Sequence, residues 1–83
     1  MTEIQKKIVE VLKEINPSRV DESAINSSEN LFEMGVLDSL TTVQVIIGLE
    51  KKFGLKISKN DIKYESFTTI EEIEKMINSK GKV

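Results

Sequence analysis

The helical spacing of its apolar residues constrains this chain more than any other feature. Ile4, Ile8, Val11, Leu12 and Ile15 lie three and four residues apart, which gathers them on one face of a helix. The spacing predicts a helix over residues 2–15, with Thr2 as N-cap and Pro17 as its stop. A second helix is expected from Asp38-Ser39 to about Phe53. Asp is a favoured N-cap, and Gly54 stands where a left-handed residue commonly closes a helix. Leu40, Val43, Val45, Ile46, Ile47 and Leu49 cover more than one stripe of it. Such a helix is central or carries an exposed apolar strip. Gly48 inside it costs about 1 kcal/mol relative to Ala, which implies either close packing or simple tolerance. Thr68 and Glu71 offer a capping box for a last helix running to about Asn78. Ile70, Ile73, Met76 and Ile77 would share its inner face.

Residues 16–38 lose this periodicity and are rich in Asn, Ser, Asp and Glu. Val20, Ile25, Leu31, Phe32, Met34, Val36 and Leu37 are interspersed, so the loop is expected to lie over the core. Loops of this length are usually functional or flexible. Lys56-Ile57-Ser58 reads as extended and leads to a short helix over residues 59–64. The expected fold is all-α: three main helices and one short one, with a long first loop. One domain over residues 1–83 is expected, ordered over about 2–78, with a fraying polar tail at 79–83.

A chain of 83 residues with 39% apolar residues, 5% aromatics and no Trp must build its core from Ile, Leu and Val. Domains this small are usually marginal in stability. The net charge of −2, from 12 basic and 14 acidic residues, is too balanced for the clustered basic footprint of a nucleic-acid binder. No apolar run is long enough for a membrane span. Charges separate Ile4, Ile8 and Val11, so no signal-peptide pattern is present. The expectation is a soluble, cytoplasmic monomer. Cys and His are both absent. That excludes disulfides and the usual zinc sites, and removes any Cys or His nucleophile or base. Thiol chemistry would require an attached group.

The chemistry points to Gly35-Val36-Leu37-Asp38-Ser39-Leu40. Gly35 permits a tight turn, and Asp38 as cap places Ser39 in the first helical turn. There the helix dipole and free backbone N–H groups would favour a phosphodiester on the hydroxyl. With no base to activate it, Ser39 reads as the substrate of another enzyme rather than as a catalyst. On the dipeptide alone, plain helix capping is the better explanation of Asp-Ser; the wider pattern decides otherwise. Leu40, Val43 and Ile47 lie at i, i+3 and i+7 behind Ser39, a core face or a partner-contact stripe. Asn26-Ser27-Ser28 fits a glycosylation acceptor but lacks a secretion signal. Glu71, Glu72 and Glu74 suit the start of a helix, with docking of a basic partner as the lesser reading.

The longer run from Leu31-Phe32-Glu33-Met34-Gly35 through Asp38-Ser39-Leu40 to Lys51-Lys52-Phe53-Gly54 resembles the acyl carrier protein family. So does Phe67-Thr68-Thr69-Ile70-Glu71-Glu72-Ile73. The resemblance covers essentially the whole chain. It implies an acyl-carrier-like helical bundle and a 4′-phosphopantetheine arm transferred from coenzyme A to Ser39. Asp38 would help to place metal and cofactor for a Mg²⁺-dependent phosphopantetheinyl transferase. The arm's thiol would hold acyl or aminoacyl groups as thioesters. The implied partners are that transferase, a loading enzyme, and a downstream transferase or synthase. By the same resemblance Leu40, Val43 and Ile47 meet partners, while Thr42, Val45, Ile46, Leu49 and Phe53 face the core.

Glycine four residues before the serine is similar to D-alanyl carrier proteins, which serve cell-wall teichoic acid alanylation, and to some stand-alone polyketide or peptide-pathway carriers. Fatty-acid carriers resemble it less, because their second helix is acidic. Here Thr41, Gln44, Lys51 and Lys52 stand at those positions, with Glu50 the acid left. D-alanyl carriers commonly have a Trp late in the chain, and this chain has none. The competing class is an unmodified helical interaction module. An enzyme is the weakest reading, for want of His, Cys, a phosphate-cradling Gly loop and room for a substrate cavity.

Overall fold

A computed structural model describes residues 1–80. Three α-helices form where the apolar spacing requires them: α1 (Glu3–Ile15), α2 (Ser39–Phe53) and α3 (Ile70–Lys80). Two 3-10 turns, Lys59–Asp61 and Tyr64–Phe67, join α2 to α3. No strand occurs among the described residues. The arrangement is the expected all-α, acyl-carrier-like bundle with a long first loop.

The inner faces meet in one aliphatic core. Ile8, Val11 and Leu12 of α1, Val45 and Leu49 of α2, and Ile70 and Ile73 of α3 are all buried. Phe67 supplies the only fully buried aromatic ring among the described residues. The long loop is laid over this core as its apolar content requires, with Val20, Ile25, Leu31, Val36 and Leu37 buried. Gly48 resolves to close packing. A β-carbon there would stand 2.8 Å from Val11 Cγ1 and 3.6 Å from Ile15 Cδ1, so its missing side chain is what lets α1 approach α2. Glu10 and Lys52 add an ion pair of 2.8 Å between the two helices.

A polar clasp that the sequence did not reveal joins α1 to α3. Thr2 caps α1 by accepting the Gln5 N–H. Glu74 then accepts Thr2 Oγ1 at 2.8 Å and Gln5 Nε2 at 2.7 Å. Gln5 is the one buried polar side chain among the described residues, and the Glu74 carboxylate satisfies it.

Three sequence expectations are corrected. The short helix expected over residues 59–64 is two separate 3-10 turns, broken at Ile62 and Lys63. Asp61 closes the first by accepting the Ser58 N–H and hydroxyl, which favours a tight turn over a continuing helix. The cap of α3 is Thr69, whose hydroxyl accepts the Glu72 N–H. Thr68 instead donates its hydroxyl to the Glu65 carbonyl. The last helix extends past Asn78 to Lys80, so Ser79 and Lys80 are not part of a frayed tail. Residues 81–83 of that expected tail lie outside the described residues. Of the acids of α3, Glu71 and Glu72 stand in its first turn, where the helix dipole favours them as expected. Glu71 accepts the Ser27 hydroxyl, Glu72 pairs with Lys75, and Glu74 holds the clasp. The three carboxylates are thus engaged within the chain.

The extra turn of α3 has a consequence for acid stability. Lys80 Nζ pairs with Asp61, and the two side chains are largely covered. This ion pair and the Ser58 bonds hold the Asp61 carboxyl down to about 2, against its ordinary 3.8. A carboxyl lowered on folding stabilises the fold above its unfolded value, and that contribution fades as pH falls through the folded value. The expected result is that the anchoring of the α3 C-terminus weakens between about pH 4 and pH 2. Amide exchange at Ile77–Lys80 across that range checks it. Asp61→Asn should flatten the dependence; an unchanged profile would refute the assignment.

Candidate functional site

The site is built from the loop that enters α2. Asn30 Oδ1 accepts the N–H groups of Phe32 and Glu33, which starts a tight turn. Met34 and Gly35 close back on Asn30 and Phe32, and Val36 and Leu37 both donate to the Leu31 carbonyl. Gly35 sits at φ +79°, in the left-handed region that an L side chain enters at a cost. Leu31 in turn donates to the Thr68 carbonyl at 2.6 Å, tying the turn to the start of α3. Asn16 Nδ2 reaches the Val36 carbonyl at 3.1 Å from the end of α1. With Val36 and Leu37 buried, the chain emerges from the core at Asp38.

Asp38 is extended and caps α2, as expected. Its Oδ1 accepts Leu40 N–H at 3.0 Å, Thr41 N–H at 2.8 Å and the Thr41 hydroxyl at 3.0 Å. Thr41 Oγ1 also accepts the Asp38 N–H, which completes a reciprocal cap. These bonds, the Thr41 backbone N–H foremost and then its hydroxyl, hold the Asp38 carboxyl below the usual carboxylate range. Hydrogen bonds to the charged form favour it. All of them fall on Oδ1; Oδ2 makes no hydrogen bond with the described residues, and Asp38 is exposed.

Ser39 is the first residue of α2 and is exposed. Its hydroxyl makes no hydrogen bond with the described residues, whereas the hydroxyls of Thr41 and Thr42 are both bonded to Asp38. Ser39 is therefore the accessible, uncommitted hydroxyl of this helix end. The cradle of free N–H groups expected around it is smaller than the sequence implied. The Leu40 and Thr41 N–H groups are spent on Asp38 Oδ1, and that of Thr42 on the Asp38 carbonyl.

Leu40, Val43 and Ile47 are 70%, 54% and 49% exposed, against 0% for Val45 and Leu49. The three form an outward apolar stripe rather than a core face. Thr42 and Phe53 are half-buried, and Ile46 is buried, on the opposite side. Glu50, the single acid of the helix, accepts the Ile57 N–H at 2.8 Å and so serves the α2 C-terminal turn. Two exposed apolar residues escaped the sequence reading: Ile62 and Tyr64, 45% and 59% exposed. Tyr64 lies against Phe32 with ring centroids 4.8 Å apart. The signal available was an Ile-Lys-Tyr run between polar neighbours, which the expected continuous helix obscured. No group of three potential metal ligands occurs among the described residues, so Asp38 offers a single carboxylate.

A family model described as a phosphopantetheine attachment site matches residues 3–77. The chain is 34% identical over 70 residues to the D-alanyl carrier protein of Enterococcus faecalis, which covers 84% of this chain and 87% of that one. It is 32% identical over 69 residues to that of Listeria monocytogenes, covering 83% and 86%. It is 28% identical over 78 residues to that of Lactobacillus delbrueckii, covering 89% and 94%. No solved structure gives a significant match.

Proposed function

Because the chain belongs to the phosphopantetheine-attachment family, we propose that Ser39 bears the arm and that the cargo is a D-alanyl group. The protein is a carrier: it holds acyl or aminoacyl groups as thioesters on a covalently attached 4′-phosphopantetheine. The arm supplies the thiol that a chain without cysteine lacks.

One observation carries the Ser39 assignment. It is an exposed hydroxyl with no hydrogen bond to the described residues, held at a helix start by a cap that immobilises its neighbours. Attachment joins Ser39 Oγ to the phosphorus that carries the pantetheine in coenzyme A. The bridging P–O bond breaks, the adenosine bisphosphate leaves, and the hydroxyl proton passes to a base of the transferase. The carrier has no histidine or cysteine to serve as that base. Asp38 stays ionised at neutral pH, and its Oδ2 can face the Mg²⁺ that the transferase binds. With one carboxylate to offer, Asp38 helps to place the ion and does not hold it alone. The reading is thus of a non-catalytic carrier acting in the cytoplasm as a monomer, one domain over residues 1–83. No described helix is long and apolar enough to cross a membrane.

The exposed stripe Leu40–Val43–Ile47 is the surface on which transferase and loading enzyme would rest. A charge in its middle should disturb docking without disturbing the core. Val43→Asp is expected to lower kcat/KM of arm transfer about tenfold, the size of one central contact, through KM for the carrier. An unchanged KM would remove the stripe from the interface.

The D-alanyl reading follows the relatives and the glycine spacing before Ser39. It also suits an α2 surface without a free acid. Its test has two steps. Incubation with coenzyme A, Mg²⁺ and a broad-specificity transferase should add one phosphopantetheine, mapped to the peptide containing Ser39. The holo form should then be charged by a D-alanine-activating ligase, with intact mass rising by one alanyl group. Charging by acyl-activating enzymes but not by the D-alanine ligase would keep the carrier and reject the cargo.

A further inference from the structure

We infer that Arg19 binds a phosphate oxygen of the coenzyme A-derived group at Ser39. The inference rests on Ser39 as attachment site and adds a residue the carrier itself brings to that chemistry.

The need arises from the cap. Asp38 and the helix backbone take the N–H groups of Leu40, Thr41 and Thr42, which leaves that of Ser39 alone at the start of α2. A phosphodiester on Ser39 would place a second negative charge beside the Asp38 carboxylate. Like charges this close repel, so a nearby cation is favoured.

Arg19 is the only arginine of the chain, and its guanidinium lies over Gly35. A β-carbon at Gly35 would stand 3.4 Å from Arg19 Nη1, 3.7 Å from Cζ and 3.9 Å from Nε. The segment is held there by two bonds. Arg19 N–H donates to the Asn16 carbonyl, and Asn16 Nδ2 donates to the Val36 carbonyl. Arg19 is exposed. The ion pairs among the described residues use Lys13, Lys52, Lys75 and Lys80, none of them Arg19. Its guanidinium donors are likewise in no hydrogen bond there. A planar fork of N–H donors suits a phosphate. Four Cα steps of about 3.8 Å bring Ser39 within about 15 Å of Gly35. The phosphates of coenzyme A and the phosphodiester of the attached arm are the two sources of this chemistry.

Two measurements separate them. In the transferase assay at saturating carrier, Arg19→Ala should raise KM for coenzyme A about fivefold, the scale of one exposed charge contact, and Arg19→Lys should recover part of it. In the isolated protein, the Arg19 Nε–H resonance should shift between apo and holo forms if the arm's own phosphodiester is the partner. A KM effect without that shift assigns the contact to coenzyme A. A change confined to KM for the carrier would mean a protein-docking charge and would overturn the inference, as would no change in either measurement. If the wild type gains the arm at a residue other than Ser39, the attachment reading fails first and the inference with it.

Discussion

Ser39→Ala is expected to take no phosphopantetheine and to keep its fold. Both halves of this expected result follow from the same geometry. The hydroxyl is exposed and makes no bond with the described residues, so its loss leaves no buried group unpaired. The Asp38 cap acts through the Leu40 and Thr41 backbone, which alanine retains, and alanine is the better helix former. Stability should stay within about 0.5 kcal/mol of the wild type, as for surface changes away from caps and core. The effect on modification should be complete, because the other hydroxyls of this helix end belong to the cap. Intact-protein mass after incubation with coenzyme A and the transferase measures the first half, and thermal unfolding the second. An equal mass gain in wild type and variant would place the arm elsewhere.

Much of this site is legible in the sequence, because its parts are local. The turn glycine, the cap and the serine that follows it lie within five residues, and local chemistry fixes each. The three main helices are legible for a similar reason: apolar spacing and end signals act over one or two turns. What the sequence hides is long-range. Glu74 reads as an acid complementing a helix N-terminus, yet its partners are Thr2 and Gln5, across the molecule. Arg19 reads as one more charge in a polar loop until the fold lays its guanidinium on Gly35. The choice of Thr69 over Thr68 as cap is of the same kind. Either threonine has the chemistry, and the bond from Leu31 N–H to the Thr68 carbonyl belongs to a contact no local pattern announces. Exposure of Leu40, Val43 and Ile47 was open for a different reason, since an apolar helix face looks the same whether core or partner covers it.

Gly48→Val should destabilise the protein by about 2–3 kcal/mol, the upper part of the range for overpacking a core. The glycine lies in mid-helix, where a larger residue ordinarily adds stability, so helix propensity alone predicts the opposite sign. Tertiary contact decides it. A β-carbon would come within 2.8 Å of Val11 Cγ1, and Val11 is 2% exposed, with little room to move. Valine would add two more carbons at that point. A chain of 83 residues has a total stability of about 4–12 kcal/mol at the usual value per residue, so this one change removes a substantial part of it. Urea unfolding followed by circular dichroism checks the loss. Gly48→Ala gives a finer test, because its gain in helix propensity of about 1 kcal/mol opposes the same close approach. In a Val11→Ala background the obstructing methyl is gone, and Gly48→Ala should become more favourable there by about 1 kcal/mol, a coupling typical of residues in contact. Additive effects of the two substitutions would mean that α1 and α2 do not meet at Gly48, and that the glycine is merely tolerated.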